Sequence, residues 1–141
     1  MRRGRLAAWL TAAAMLLAAC GGEEGEGRSP SSAESPTEPA SEATITMTEG
    51  LRFDPAEVTI TVGGTVTWVN EASVDHTATG DPGKAAEEGD AELPEGAEAW
   101  DSGFVKPGDS FSMTFDVPGT YGYFCIPHEN VDMLGVIEVV P

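Results

Sequence analysis

The C-terminal hundred residues of the chain predict an all-β domain, an antiparallel β-sandwich. Short segments alternate apolar and polar residues, which is the period of a half-buried strand. Glycine and proline separate these segments, and no segment has a long helical period. The predicted domain, residues 43–141, has a normal size for one domain with its own core.

The first clear strands flank Gly63-Gly64. Residues 58–62 alternate valine and isoleucine with threonine, and residues 65–69 continue the alternation through Val66 and Trp68. β-Branched and aromatic residues on both sides of a glycine pair predict a hairpin with its turn at the glycines.

Three more strands complete the predicted sandwich. Residues 110–116 alternate Phe and Met with Ser, Thr and Asp, and Pro118-Gly119 then supplies a turn. The following strand places Tyr121, Tyr123 and Cys125 on one face. The last strand runs from about Leu134 to Val140. The aromatic residues predicted to lie in the core are Trp68, Phe111, Phe115 and Tyr121.

Residues 78–99 interrupt this pattern. The segment is rich in glycine and glutamate and has no strand alternation, so it predicts a long loop or insertion. Residues 84–88, Lys-Ala-Ala-Glu-Glu, are a candidate helical turn within it.

The N-terminus predicts export. Arginines precede the apolar stretch 6–19, whose 14 residues are fewer than the roughly 20 of a membrane-spanning helix. Residues 1–19 are therefore interpreted as a signal peptide. Leu17-Ala18-Ala19-Cys20 resembles the lipobox of bacterial lipoproteins, in which the cysteine is acylated and begins the mature chain. The alternative is ordinary cleavage after Ala19, with Cys20 free or mispaired.

Residues 20–42 are predicted to be a lipidated Cys20 followed by a disordered acidic tether. The tether lacks aromatic and large aliphatic residues, so it cannot bury enough apolar surface to fold. As a flexible coil it would span about 25 Å. If Cys20 carries lipid and Cys125 carries metal, no disulfide remains. The alternative, a Cys20–Cys125 disulfide, would close a loop of about a hundred residues.

The residues with the clearest chemistry are Cys125, His128 and Met133, spaced Cys-x2-His-x4-Met, together with His76, the only other histidine. A thiolate, an imidazole and a thioether form a soft, mixed ligand set. Two histidines and one cysteine with a weak axial methionine are the ligands of blue-copper electron-transfer sites. The structural alternative is that cysteine and methionine fill the core and the histidine is only hydrogen-bonded.

The domain resembles plastocyanin-type cupredoxins. The similar segments are residues 64–70 with His76 following, Trp100-Asp101-Ser102-Gly103, Pro107-Gly108-Asp109, residues 118–123, and Cys125-Ile126-Pro127-His128 with Met133 and Gly135. The resemblance implies a Greek-key β-sandwich that holds one type 1 copper ion.

The resemblance also implies a role for each ligand. Cys125 is the thiolate that bonds strongly to copper, His76 and His128 are the equatorial imidazoles, and Met133 is the weak axial ligand. His128, on the exposed side of its loop, is the expected exit for the electron. Many relatives have a bracing asparagine after the first histidine, where this chain has Thr77, and a hydroxyl makes fewer hydrogen bonds.

Two further residues near the ligands carry open interpretations. Phe124, beside Cys125, is interpreted either as core or as part of an exposed docking patch. Asp75 is interpreted either as a group that orients His76 or as a solvated turn residue.

The chain is strongly acidic, with 7 basic and 24 acidic residues. Removing the signal peptide leaves 4 basic residues and a formal charge of −20, which excludes nucleic acid as a partner. An acidic surface can steer a basic redox partner, and residues 87–98 are its densest part. The alternative is a uniformly acidic surface that only keeps the protein soluble.

The predicted function is a monomeric blue-copper electron carrier, lipid-anchored on the extracytoplasmic face of the cell membrane. It would shuttle electrons between redox proteins, such as a basic cytochrome or a membrane oxidoreductase. The alternative is a copper-binding module that scavenges or delivers the metal. An enzyme with a second copper would need additional histidines, which the sequence lacks.

Overall fold

A computed structural model describes residues 38–141. The all-β prediction is confirmed, since this part of the chain contains eight strands and one short 3-10 helix. The elements are β1 (Ala40–Met47), β2 (Phe53–Asp54), β3 (Glu57–Asn70), β4 (Thr79–Gly80), β5 (Trp100–Asp101), β6 (Ser110–Phe115), β7 (Gly119–Phe124), the 3-10 helix (Ile126–Val131) and β8 (Leu134–Val140).

The predicted signal peptide, Cys20 and most of the predicted tether lie outside the described residues. β1 begins at Ala40, so the last three residues assigned to the tether, 40–42, lie in a strand. Within residues 38–141, no helix is both long enough and apolar enough to cross a membrane.

The sheet is mixed, which corrects the expectation of a strictly antiparallel sandwich. The first half of β3 pairs in parallel with β8, whereas its second half pairs in parallel with β1 and antiparallel with β6. β7 then pairs antiparallel with β8 and with β4. Parallel partners lie far apart in sequence, so the local alternation of apolar residues does not reveal them.

The predicted turn at Gly63-Gly64 is present. β8 leads away from the ligand loop, and the first half of β3 runs parallel to it. The second half of β3 runs parallel to β1 and ends at Asn70, close to His76. The chain therefore reverses between the two halves. Gly63 has φ +82°, and a Cβ on Gly64 would lie 2.7 Å from the Thr61 carbonyl oxygen, so the turn requires glycine.

Aromatic rings fill the core. Trp68 is fully buried, and its ring centroid lies 5.4 Å from that of Tyr123 and 6.4 Å from that of Trp100. Three of the four predicted core residues, Trp68, Phe115 and Tyr121, are buried, and Phe111 is partly buried against the core. Phe124 is fully buried as well, so its interpretation as an exposed docking residue is wrong.

Residues 78–99 are a loop, as predicted, but residues 84–88 form turns and bends and not a helical turn. The loop is attached to the sheet at two places. β4 pairs with β7 through Thr79 and Phe124, and Glu92 exchanges two backbone hydrogen bonds with Gly122 at 2.9 and 3.1 Å. The loop therefore runs along β7, the strand that leads to Cys125.

Candidate metal centre

His76 lies on the segment that follows β3. Its backbone exchanges two hydrogen bonds with Val105, at 2.8 and 3.2 Å. Asn70 supports the same segment from the end of β3, because its side-chain amide donates to the carbonyls of Val74 and Val105, each at 2.8 Å. The side chain of His76 is fully buried. Asp75 is paired with Lys106 at 3.8 Å, so the structure favours its interpretation as a surface turn residue.

The other three predicted ligands share the loop between β7 and β8. The loop closes on itself, because the Cys125 amide donates to the Met133 carbonyl at 3.0 Å and the Met133 amide donates to the His128 carbonyl at 3.3 Å. Pro127 lies in the first turn of the 3-10 helix, and the amide of His128 donates to the Cys125 carbonyl at 3.0 Å. Cys125 and Met133 are fully buried, whereas His128 is half-buried.

Three donor atoms converge at one point. Nδ1 of His76 lies 3.2 Å from Nδ1 of His128, and the Cys125 Sγ lies 3.6 Å and 3.4 Å from these two nitrogens. A point equidistant from the three atoms lies about 2.0 Å from each, close to the roughly 2.0 and 2.3 Å of protein Zn–N and Zn–S bonds. The triangle therefore fits one metal ion. Met133 packs with Cys125 in the core.

The electrostatics of the three groups also favour a metal ion. Burial lowers the pKa of His76, and the neighbouring His128 lowers it further, so the ring is neutral and can offer a lone pair. Burial raises the pKa of the Cys125 thiol, although hydrogen bonds from Thr77 and from the His128 backbone oppose this effect. A thiolate in such a buried place needs a cation as its partner.

Comparison with known proteins agrees with this geometry. The family model described as copper binding proteins, plastocyanin/azurin family, matches residues 40–140. The chain belongs to the plastocyanin/azurin family of copper-binding proteins. His76, Cys125, His128 and Met133 form a type 1 copper-like site in this family member, and its cofactor is copper.

Plastocyanins are among the similar proteins. Plastocyanin of Scenedesmus fuscus is 43% identical over 93 residues, which cover 63% of this chain and 87% of that protein. Chloroplastic plastocyanin of Hordeum vulgare is 33% identical over 93 residues, which cover 63% of this chain and 55% of that protein. The match to the barley protein therefore spans only about half of its length.

Solved cupredoxin structures show the same fold. A pseudoazurin from Sinorhizobium meliloti superposes with a TM-score of 0.55 and 28% identity, covering 71% of this chain and 74% of that one. A purple cupredoxin from Nitrosopumilus maritimus has a TM-score of 0.53 and 25% identity, covering 69% and 98%. Both likenesses confirm the cupredoxin-like sandwich.

Thr77 braces the copper site more fully than the sequence predicts. Its backbone amide donates to the Cys125 Sγ at 3.3 Å, and its hydroxyl oxygen accepts from the Ile126 amide at 2.9 Å. The hydroxyl also lies 3.0 Å from the Thr79 hydroxyl. A hydroxyl can make fewer hydrogen bonds than an asparagine amide. Thr77 nevertheless braces the ligand loop.

Two other supports of the ligand loop escape the sequence reasoning. The guanidinium of Arg52 donates to the Val131 carbonyl at 2.8 Å, just before Met133. The carboxylate of Glu129, next to His128, accepts from the amides of Ala86 and Glu87 at 2.7 and 3.1 Å. The one sequence signal of these supports is Glu129, an acidic residue directly after the ligand His128. The predicted loop gives no reason for an acid at this position.

Proposed function

We propose that the protein carries single electrons between redox proteins outside the cytoplasmic membrane. Membership of the plastocyanin/azurin family supports a carrier rather than an enzyme. The observation that carries the proposal is the burial of the ligands, since His76, Cys125 and Met133 are fully buried and His128 alone is half-buried.

This arrangement suits electron transfer. Copper held by His76, Cys125 and His128 would supply a one-electron redox couple. The protein holds the ligand side chains in one geometry through the hydrogen bonds of the ligand loop and of Thr77, so little rearrangement opposes the electron's movement. His128 is the route to the surface because it is the only one of the four with an exposed edge. Buried ligands also exchange metal slowly, which disfavours a copper-delivery role.

The partner would dock around His128. Of the five exposed large hydrophobic residues in the described chain, Val74, Ile126 and Val131 lie on the two segments that carry the ligands. Phe104 precedes Val105, whose backbone pairs with that of His76. Phe104 is the most exposed, at 65%. Glu87, Glu88 and Asp90 lie beside the ligand loop, because Glu129 accepts from the amides of Ala86 and Glu87. An apolar patch with an acidic rim suits a basic redox protein, such as a cytochrome.

We further propose that Cys20 anchors the protein to the extracytoplasmic face of the membrane, as a monomer at the end of the acidic tether. A multiply acylated Cys20 would keep the protein in membrane pellets through high-salt washing, because two or more lipid signals give stable attachment. The Cys20→Ala variant should be released. A wild-type protein that is wholly soluble after export would contradict the anchor.

The absorption spectrum tests the copper function. The oxidised, copper-loaded protein should be intensely blue and should lose its colour on ascorbate reduction. The Cys125→Ser variant should be colourless, because the colour comes from the thiolate. The Met133→Leu variant should keep the colour and have a higher reduction potential, since loss of a weak donor stabilises copper(I). A colourless wild type after copper loading would refute the proposal.

The salt dependence of electron transfer tests the acidic rim. The second-order rate with a basic cytochrome should fall steeply with salt, because charges more than about 8 Å apart are screened at physiological ionic strength. Neutralising Glu87 and Glu88 together should flatten this dependence. The control neutralises Glu42 and Asp116, which lie on segments at the opposite end of the strands. Equal behaviour of the two double variants would show that the rim does not guide the partner.

A further inference from the structure

The turn between β1 and β2, residues 48–52, is held in one shape by its own hydrogen bonds. The Thr48 amide donates to the Arg52 carbonyl at 2.9 Å, and the Leu51 amide donates to the Thr48 carbonyl at 3.0 Å. β1 and β2 pair directly beside the turn. The Leu51 side chain packs against the core, so the turn is attached to the domain at its middle as well as at its ends.

One side of this turn binds the segment that carries His76. The Glu49 carboxylate accepts from the Ser73 amide at 2.6 Å through one oxygen and from the Ser73 hydroxyl at 2.5 Å through the other. Ser73 precedes His76 by three residues. An ionised carboxylate can only accept, so both hydrogen bonds run from Ser73 to Glu49. Hydrogen bonds to an ionised group are stronger than neutral ones, and Glu49 therefore fixes the start of the His76 segment.

The other side of the turn binds the ligand loop. Nη1 of Arg52 lies 2.8 Å from the Val131 carbonyl oxygen and 3.4 Å from that of Asp132. These two residues directly precede Met133. The 3-10 helix ends here, with Asp132 in the left-handed region at φ +59°, and carbonyls at the end of a helix have no partner within it. A guanidinium can only donate, so Arg52 supplies the donor that these carbonyls lack.

The two segments that carry the ligands are therefore connected at both ends of the ligand loop. Thr77 connects them at the Cys125 end, where its hydroxyl accepts from the Ile126 amide. The β1–β2 turn connects them at the Met133 end. The second connection bears on the axial ligand, because the axial bond to copper is long and weak and cannot hold a loop in place. The position of Met133 must come from the protein's own contacts.

We propose that Glu49 and Arg52 are positioning residues for the copper site, because together they connect the His76 segment to the ligand loop beside Met133. This inference rests on the proposed copper function. Loss of the connection would let Met133 move away from the metal position, and a weaker axial donor favours copper(I). The β1–β2 turn therefore keeps Met133 in place and the reduction potential lower than it would be with a freer loop.

The Arg52→Met variant tests this inference, because charge and position predict opposite shifts of the reduction potential. Loss of a positive charge near the site would by itself stabilise copper(II) and lower the potential. Release of Met133 would raise it. We expect a higher potential, with the blue colour retained. Lys106→Met is the matched control, since it removes a cation that pairs with Asp75 at the surface, and it should not raise the potential.

A double-mutant cycle tests whether Glu49 and Arg52 act as one connection. Glu49→Ala and Arg52→Met should each speed copper loss to a chelator about fivefold, as expected for one hydrogen-bonded contact. The double variant should lose copper no faster than the faster single variant, because either change already breaks the connection. Amide hydrogen exchange in the metal-free protein supplies a readout without copper. Both single variants should speed the exchange of the Met133 amide, although Glu49 itself binds Ser73, and Lys106→Met should not.

Three results would overturn the inference. These are a lower or unchanged potential in Arg52→Met, copper-loss effects that multiply in the double variant, or unchanged Met133 exchange in Glu49→Ala. A blue wild type with any of these results defeats this inference and leaves the proposed function standing. A wild type that binds copper without colour defeats both.

Discussion

Neutralising Asp90 should stabilise the protein at neutral pH. Asp90 lies in the loop that Glu129 attaches to the ligand loop. Burial raises its pKa, and repulsion and hydrogen bonding with Glu129, together with the charges of Glu87 and Asp132, raise it further. The ionised Asp90 carboxylate is therefore less favourable in the folded state than in the unfolded chain.

The size of the effect follows from Coulomb's law. Two like charges about 4 Å apart repel by roughly 1 kcal/mol in water and by about 4 kcal/mol at an effective dielectric constant of 20. Because Asp90 is only partly buried, solvent screens the repulsion and the lower limit applies. Asp90→Asn removes this repulsion, and its amide can donate to the Glu129 carboxylate. We expect a gain of about 1 kcal/mol in the free energy of unfolding, which is about 4 °C in the melting temperature.

The gain in the free energy of unfolding should be present at neutral pH and should disappear at acidic pH. A carboxyl group whose folded pKa is raised contributes stability below its unfolded pKa and loses it as the pH rises through the folded value. The wild type therefore recovers the gain when acid protonates Asp90, and the two proteins should become equally stable near pH 3. Urea denaturation of the metal-free proteins at neutral and acidic pH measures this difference.

The control for Asp90→Asn is Asp116→Asn, an exposed acid on the β6–β7 connection. It makes the same change in net charge and reports the relief of general repulsion in an acidic protein. An equal gain for the two variants, or a gain for Asp90→Asn that persists at acidic pH, would refute the local repulsion.

Three further predictions concern supports near the copper site. Glu129→Ala should destabilise the metal-free protein by about 2 kcal/mol and speed amide exchange at Ala86, since hydrogen bonds to charged groups contribute roughly 1.5–3 kcal/mol each. Arg52→Met should cost about 1 kcal/mol in urea denaturation and speed copper loss to a chelator, because the Val131 carbonyl loses its donor. Hydrogen bonds from Ser73 lower the pKa of Glu49 in the folded protein. The ionised Glu49 therefore stabilises the fold above its ordinary pKa, and this stabilisation is lost as the pH falls through the lowered pKa. Glu49→Gln should remove this part of the pH dependence of urea denaturation.

The sequence predicts those features that depend on neighbouring residues. β6, β7 and β8 follow from alternation with a period of two, which records one buried face. The ligand loop follows from the spacing of Cys125, His128 and Met133. His76 is found because the sequence contains only one other histidine.

Features that depend on partners distant in the sequence cannot be predicted from local residue patterns. The parallel pairing of β3 with β8 joins segments about eighty residues apart, and neither segment carries a mark of its partner. The position of Phe124 beside the ligand Cys125 is compatible with either the core or a docking surface, and the sequence does not decide between them. Its strand is central, with β8 on one side and β4 on the other, and Phe124 is fully buried. The role of Thr77 depends on its contacts with Cys125 and Ile126, about fifty residues away, and residue type alone does not reveal them.

Two of the three cations of the domain bind groups near the copper site. Residues 38–141 contain only three lysines and arginines: Arg52, Lys84 and Lys106. Arg52 donates to the Val131 carbonyl in the loop before Met133, and Lys84 pairs with Asp101, whose carboxylate accepts from Thr79. Lys106 pairs with Asp75 at the surface. In a domain with so many acids, a randomly placed cation would find an acidic neighbour almost anywhere. Two of these three cations therefore hold a backbone carbonyl or a carboxylate in place near the ligands, whereas most acids of residues 38–141 face solvent.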